Sequence, residues 1–126
     1  KAAADLLCGA YAATYRVPVV VVRGTNAFGP RQIERVVPTF AVNALRGDGV
    51  PVYGDGTQRR EFLFVSDWVA AALTVLDHGE RGEVYNIGGG FELSNLDRAR
   101  RIVALAGAPT SLIGSVPDRL VEALKP

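Results

Sequence analysis

Two kinds of apolar pattern alternate along the chain and predict helices and buried strands in turn. Residues 1–15 are rich in alanine and repeat apolar side chains at three- and four-residue spacing, as an α-helix does. Residues 17–22 form a continuous apolar run of valines and Pro18, which is typical of a strand buried on both faces of a parallel sheet. A helix followed by such a strand indicates an α/β fold.

The rest of the chain continues this alternation. Pro38 suits the first turn of a helix, and Ser94 with Asp97 three residues later resembles a capping box. Asp67 is expected to cap the helix that begins beside it. Helices are predicted over 36–46, 66–79, 94–106 and, with the weakest signal, 118–124. Strands are predicted over 50–53, 61–65 and 83–87, with an irregular loop over 24–34 and a glycine turn over 54–56.

Composition and charge exclude several classes of function. The 126 residues, 48% of them hydrophobic, suffice for one modest core. Lys and Arg number 14 against 13 Asp and Glu, and the net charge of +1 creates no field that would recruit nucleic acid or a membrane surface. One cysteine cannot form an intrachain disulfide, and no apolar run or leader is present, so we expect a cytoplasmic protein. No cluster has metal-ligand spacing, and no metal is predicted.

Four motifs occur in a fixed order along the chain. They are Lys-Ala-Ala-Ala-Asp-Leu-Leu from residue 1, Arg-Gly-Thr-Asn-Ala-Phe-Gly-Pro-Arg-Gln from residue 23, Pro-Val-Tyr-Gly-Asp-Gly-Thr-Gln-Arg-Arg from residue 51, and Tyr-Asn-Ile-Gly-Gly from residue 85. Together they resemble the extended short-chain dehydrogenase/reductases that act on nucleotide sugars, the NAD-dependent epimerase/dehydratase family. Within that family the dTDP-glucose 4,6-dehydratases are the most similar. The resemblance runs from residue 1 to about residue 106.

The resemblance implies the last part of a doubly wound, Rossmann-type parallel sheet plus a smaller mixed α/β substrate-binding domain. Residues 1–29 would be the last helix and strand of the NAD-binding part, and 66–88 a helix and strand that pack back on it. Residues 30–65 and 89–126 would form the substrate-binding domain, incomplete at its C-terminus. Because the sequence opens in mid-helix without methionine, we expect the Gly-rich dinucleotide fingerprint upstream and this fragment alone to be inactive.

Lys1 is the residue that the resemblance matches to catalysis and to the cofactor NAD. In the family a Tyr-x-x-x-Lys pair performs the redox step, and the tyrosine would lie four residues upstream of Lys1. The ammonium lowers the pKa of the phenol and holds the nicotinamide ribose, so that tyrosinate can take a proton from the sugar hydroxyl. The alternative is an exposed lysine at a helix end.

Further residues match positions that bind the nucleotide-diphosphate sugar, which would be dTDP-glucose or a UDP-sugar. Arg60 would bind the pyrophosphate, since a guanidinium fork fits phosphate oxygens, and Arg59 should point the opposite way into solvent. Pro51 and Tyr53 would receive the base. The other matched residues are Asn26, which also matches a cofactor contact, Asn86, and Arg35 and Val36, which lie in a loop one residue shorter than is usual in the family.

Simpler roles stay open for several of these residues. Asn26 would also suit a turn, Tyr53 a partly buried core position, and Asn86 a buried amide at a strand end. The chain departs from the family at Glu61, where aspartate is more usual, and at Gly24, where the dehydratases commonly carry cysteine. Ala27 likewise stands where a second asparagine is frequent. These departures leave the reaction open.

The first hypothesis for the reaction is a 4,6-dehydratase, in which NAD oxidises C4 of the hexose, water leaves across C5 and C6, and hydride returns to C6. The acid and base for elimination would precede Lys1. The alternatives are a UDP-sugar 4-epimerase, a UDP-glucuronate decarboxylase, or a non-catalytic binding module that retains the fold. The resemblance also implies a homodimer through the helix over 1–15.

Overall fold

The structure is a computed structural model that describes residues 1–117 of the chain. The elements, in chain order, are α1 (Ala2–Tyr15), β1 (Val21–Gly24), β2 (Asn26–Phe28), α2 (Val36–Arg46), β3 (Val50–Tyr53), β4 (Arg59–Phe64), α3 (Val65–His78), β5 (Val84–Ile87), β6 (Glu92–Ser94), α4 (Asn95–Leu105), a 3-10 helix (Thr110–Leu112) and β7 (Ile113–Val116). The helix expected over 118–124 lies outside the described residues.

Parallel strand pairs establish the α/β class of the fold. β1 pairs with β5, and Val21 lies opposite Val84. β3 pairs with β7 in the same way, with Val50 opposite Ile113. The remaining sheet has the order β2-β4-β6, in which β4 and β6 run antiparallel. The prediction of an α/β fold is confirmed.

The chain divides into two compact units. The first unit consists of Lys1–Ala27 and Phe62–Gly89, and its elements include α1, β1, α3 and β5. The second unit consists of Phe28–Glu61 and the residues from Gly90 onward, and its elements include α2, β3, β6, α4 and β7.

The core of the second unit is built by α2, β3 and α4. α2 and α4 each bury two apolar residues four positions apart, which lie on one face of a helix. β3 buries alternate residues, which lie on one face of a strand. The pattern of the sequence therefore sets which side chains enter the core. They are Phe40, Ala44, Val50, Val52, Ala99 and Val103.

The first unit leaves much of its apolar surface exposed. No residue of α1 or α3 is buried, and Leu6 of α1 is 76% exposed. The expectation of a strand over 17–22 buried on both faces is wrong in position and in burial. β1 begins at Val21, and its residues are half-buried or exposed. Among the described residues β1 pairs only with β5, so one neighbour cannot enclose it.

The start of α3 differs from the prediction. The helix begins at Val65, its N-cap is Phe64, and no side chain caps it. Asp67 therefore lies inside the first turn and is not the cap, although its charge still favours the helix dipole there. The predicted loop over 24–34 is also interrupted, because residues 26–28 form the short strand β2.

The start of α4 agrees with its capping signal. Ser94 is the N-cap, and its hydroxyl oxygen accepts a hydrogen bond from the backbone N–H of Asp97 at 3.0 Å. The same hydroxyl donates to Oδ2 of Asp97 at 2.7 Å, and this bond, assisted by Arg100, lowers the pKa of the Asp97 carboxyl. The helix therefore begins where the sequence indicates, and this fixes the position of Asn95, the first residue after the cap.

The space that a side chain at position 24 would occupy is filled by Trp68. A Cβ added to Gly24 would overlap the indole nitrogen and the adjacent ring carbons. Both residues belong to the first unit. The glycine at position 24 is thus required by the tryptophan.

Replacing Gly24 with Cys is expected to lower the free energy of unfolding by about 1–3 kcal/mol, the usual cost of overpacking. In a protein that already carries Trp68→Ala, Gly24→Cys should cost much less, because the overlapping volume is then empty. Chemical denaturation measures both. Gly114→Cys is the matched control, since a Cβ at Gly114 meets no atom within 4 Å. Equal losses at positions 24 and 114 would contradict the packing argument.

Candidate functional site

A cavity of about 380 Å³ in the second unit brings together most of the residues that the sequence matched to substrate binding. Its volume lies within the range of small-molecule pockets. The matched residues in its lining are Arg35, Val36, Pro51, Tyr53 and Arg60, and the others are Glu34, Thr39, Phe40, Gln58 and Asn95.

The N-terminus of α2 supplies one wall of the cavity. Arg35 is its N-cap, with an extended backbone, and the backbone N–H of Thr39 donates to the Arg35 carbonyl at 2.9 Å. Glu34, immediately before the cap, has a φ of 55°, a left-handed conformation that turns the chain into the helix. The first backbone N–H groups of a helix have no partner within it, so this wall favours anions.

Strand alternation divides β3 between the core and the cavity. Val50 and Val52 are buried in the core, whereas the half-buried Pro51 and Tyr53 line the cavity. Because successive residues of a strand point to opposite faces, these two roles are separated by one residue. An aromatic ring and a proline ring thus form an apolar wall of the cavity.

Arg60 at the start of β4 adds a positive charge. Its side chain is exposed and lines the cavity, and its Nη1 donates to the carbonyl oxygen of Arg59 at 3.0 Å. Arg59 does not line the cavity. Its side chain is 60% exposed, in agreement with the expectation of a solvated charge, and at the surface its Nη2 donates to the carbonyl oxygen of Glu92 at 3.1 Å while its Nε lies 3.6 Å from the Glu92 carboxylate.

The turn between β3 and β4 is tied to the start of α4. Gly56 has a φ of 71°, and a side chain there would overlap Val52, so only glycine fits. The Gly56 carbonyl accepts from the backbone N–H of Leu96 at 3.0 Å, and the Gln58 carbonyl from that of Asn95 at 3.1 Å. These bonds hold Gln58 and Asn95 beside each other at the cavity.

Asp55 stabilises the same turn. Its Oδ1 accepts from the backbone N–H of Thr57 at 3.0 Å and from the Thr57 hydroxyl at 2.8 Å. These two bonds lower the pKa of the Asp55 carboxyl. Asp55 is therefore a turn-forming carboxylate, and no chemistry need be assigned to it.

Asn95 is a cavity residue that the sequence analysis missed. Its Oδ1 accepts a hydrogen bond from Nη1 of the buried Arg98 at 2.9 Å. The sequence offered one signal, since Asn95 directly follows the cap of a helix, but an amide in a first turn is also ordinary. Thr39, Phe40 and Gln58 were missed too, because their neighbourhood depends on packing. The buried Oε1 of Gln58 accepts no hydrogen bond from the described residues.

The other matched residues belong to the first unit. Lys1 is exposed at the N-cap of α1 and forms no side-chain cap bond. Asn26 is exposed at the start of β2. Asn86 is exposed in β5, opposite Arg23, so the alternative of a buried amide is wrong.

The chemistry of the cavity is that of a binding site. Two guanidinium groups, from Arg35 and Arg60, and the amides of Gln58 and Asn95 suit an anion with several oxygens, and the Tyr53 ring suits an apolar or aromatic group beside it. Within residues 1–117 no group of His, Cys or carboxylate side chains could hold a metal ion. None of the helices in that part of the chain is long and apolar enough to cross a membrane.

Comparisons with known proteins match both the sequence and the structure. Residues 1–88 match the model of the NAD dependent epimerase/dehydratase family. The dTDP-glucose 4,6-dehydratase of Streptomyces niveus is 48% identical over 120 residues, which cover 94% of this chain and 36% of that protein. The structure of the Bacillus anthracis dTDP-glucose 4,6-dehydratase in complex with NAD is 43% identical, with a TM-score of 0.89 over 94% of this chain and 38% of that one.

A different activity is represented among the similar structures. The UDP-glucose 4-epimerase of Thermotoga maritima, with UDP-glucose, is 29% identical, with a TM-score of 0.87 over 94% of this chain and 39% of that one. This chain spans less than two fifths of the length of each of these three proteins. The match of the family model over residues 1–88 is nevertheless most of the chain, which therefore belongs to the NAD dependent epimerase/dehydratase family.

Proposed function

We propose that this chain is the substrate-binding portion of an NAD-dependent nucleotide-sugar 4,6-dehydratase of the dTDP-glucose type. The observation that carries the proposal is the cavity in which Arg60 meets Pro51 and Tyr53. A cation beside an apolar and aromatic wall has the composition that a nucleoside diphosphate requires. The 48% identity to a dTDP-glucose 4,6-dehydratase supports the same substrate class.

Different residues of the cavity bind different parts of the nucleotide. Arg60 binds the diphosphate through its guanidinium fork, and Arg35 with the N-terminus of α2 adds positive potential. Pro51 and Tyr53 receive the base, and Val36 covers it.

The first unit fits the role of an NAD-binding part. Its β1 and β5 are parallel, and dinucleotides bind at the carboxyl ends of such strands. Asn26 follows β1 at that edge, and Lys1 is exposed, so its ammonium is accessible to a ribose hydroxyl and to a phenol. When bound, NAD supplies a hydride acceptor for C4 and a hydride donor for C6. In a protein that carries the family's tyrosine four residues before Lys1, the Lys1 ammonium would favour the ionised phenol and so assist removal of the hydroxyl proton.

The domain assignment follows from these roles. The first unit is assigned to the NAD-binding part and the second to the substrate-binding domain, and the unit boundaries lie within four residues of those predicted, 1–29 with 66–88 and 30–65 with 89–126. Asn86, which belongs to the first unit, stays a predicted contact of the nucleotide sugar. The protein works in the cytoplasm, where nucleotide sugars are made and consumed.

A UDP-sugar 4-epimerase is the second candidate. The similarity to the UDP-glucose 4-epimerase of Thermotoga maritima favours it, because that structure matches nearly the whole chain. Gly24 and Ala27, which depart from the dehydratase pattern, are compatible with this reading.

The substrate role of Arg60 predicts a specific loss of phosphate binding. Arg60→Lys in the whole protein should weaken dTDP binding about tenfold, because an ammonium cannot form the bidentate pair. Arg59→Lys is the matched control and should change the affinity by less than about twofold, since Arg59 pairs with Glu92 away from the cavity. Isothermal titration measures both. Equal effects of the two substitutions would contradict the assignment of Arg60.

Product analysis separates the reactions. The whole protein with dTDP-glucose and NAD should form a 4-keto-6-deoxy sugar, which NMR identifies, and Lys1→Ala should slow this by about 10²–10⁴-fold, the range of acid–base contributions. A sugar epimerised at C4 from UDP-glucose would indicate the epimerase. A pentose from UDP-glucuronate would indicate the decarboxylase. Tight binding of dTDP without turnover of any of the three would indicate a non-catalytic module.

The protein is further proposed to be a homodimer through α1. The apolar side chains of this helix, such as Leu7 and Tyr11, are more than half exposed, and its many alanines permit close approach of a second copy. Ala10→Arg should therefore yield monomers in analytical ultracentrifugation. Thr110→Arg adds the same charge at an exposed residue of the second unit and should leave the dimer intact. A dimer that tolerates Ala10→Arg would exclude this interface.

A further inference from the structure

Arg98 is a buried cation, and two of its hydrogen bonds end on residues that line the cavity. It lies on α4 and is only 6% exposed. Its Nη1 donates to Oδ1 of Asn95 at 2.9 Å, and its Nη2 donates to the carbonyl oxygen of Arg60 at 2.7 Å. Asn95 and Arg60 line the cavity, whereas Arg98 does not.

The bond to Asn95 determines how that amide is oriented. A guanidinium group has donors only, so the atom of Asn95 that faces it must be the oxygen. The amide nitrogen of Asn95, with its two N–H donors, is therefore directed away from Arg98. Asn95 lines the cavity, so its two N–H donors can serve a bound ligand. Phosphate oxygens are suitable acceptors for such donors.

The hydrogen bonds of Arg98 to main-chain carbonyl oxygens fix the backbone at Arg60. Arg60 and Leu93 are paired across β4 and β6, and Nη2 of Arg98 donates to both carbonyl oxygens, with 3.4 Å to Leu93. One guanidinium group therefore holds the backbone of both strands at this pair. The Arg60 side chain starts from a fixed backbone, and a binding group must be held within fractions of an ångström to act well.

We infer that Arg98 is a positioning residue for the diphosphate of the nucleotide sugar, acting through the Asn95 amide and the Arg60 backbone. This inference rests on the proposed function. Arg98 does not touch the substrate. Burial also lowers the pKa of its guanidinium, which still remains a cation near neutral pH. Since burying a charge costs more than burying an apolar side chain of similar size, packing alone does not account for an arginine here.

The test uses dTDP and the whole protein, with the variants Arg98→Lys, Asn95→Ala and the two combined. Arg98→Lys should weaken dTDP binding about tenfold, because lysine cannot reach all three acceptors in one geometry. The combined variant should lose less than the product of the two single losses, since one effect acts through the other. Thymidine, which lacks phosphate, should bind Arg98→Lys and the unaltered protein equally.

Arg100→Lys is the matched control. Arg100 lies on the same helix but is exposed, and its partner is Asp97 at 3.3 Å on the surface. The affinity of the Arg100→Lys variant for dTDP should equal that of the unaltered protein. Losses that multiply in the combined variant, an unchanged affinity in Arg98→Lys, or equal weakening of thymidine binding would each overturn the inference. A merely structural role of Arg98 predicts the last of these.

A second measurement covers the case in which Arg98→Lys does not fold, as judged by its thermal melting curve. In the unaltered protein the NMR signals of the Asn95 amide and the Arg98 guanidinium should shift on saturation with dTDP and stay in place with thymidine. Unshifted signals would overturn the inference. Failure of the unaltered protein to bind dTDP at all would instead overturn the proposed function, and the positioning role with it.

Discussion

The strict alternation of side chains along β3 is the constraint on which the second unit depends. Val50 and Val52 enter the core with α2 and α4, and this requires Pro51 and Tyr53 to face the cavity. Burying two valines contributes about 1.5–3 kcal/mol each, so a shift of the strand by one residue would lose this energy and turn the ring of Tyr53 into the core. The energy that folds the unit therefore also places the wall of the candidate site.

Polar contacts then hold the rest of the cavity against that strand. The turn after β3 bonds to the first residues of α4 through Gly56 and Gln58, and Arg98 joins α4 to β4 and β6. A buried guanidinium with well-placed acceptors costs several kcal/mol to desolvate, which its bonds must offset. Such an arrangement restrains the geometry of α4, β4 and β6 around the cavity.

The first unit has a different balance between burial and exposure. α1 consists mostly of apolar residues yet has no buried residue, and β1 pairs with one strand among those described. A helix with this composition is typical of a surface that another protein layer covers. The overlap of Trp68 with the side-chain space of Gly24 shows that its packing near β1 is nonetheless specific. Family membership, established over residues 1–88, connects this unit with NAD-dependent enzymes.

The sequence by itself determined the elements whose signals are local. α2 occupies 36–46 and β3 occupies 50–53, as predicted, because proline, glycine and apolar spacing act within a few residues. The cap at Ser94 is of the same kind. The ordered motifs also identified the family, and they matched Arg60, Pro51 and Tyr53 to a site before any cavity was known.

Tertiary structure alone decided what depends on neighbours distant in the chain. The short strands β2, β6 and β7 form through pairing, which a run of three or four residues is too short to predict. The helix α3 begins at Val65, so Asp67 lies in its first turn and is not the cap. The roles of Asn95, Gln58 and Arg98 likewise arise from contacts between α4 and the strands. In the sequence Arg98 is one of three arginines in a polar helical turn, and only packing shows that it is buried while Arg100 is exposed. Local preference fixes an element, but burial is a property of the surfaces that surround it.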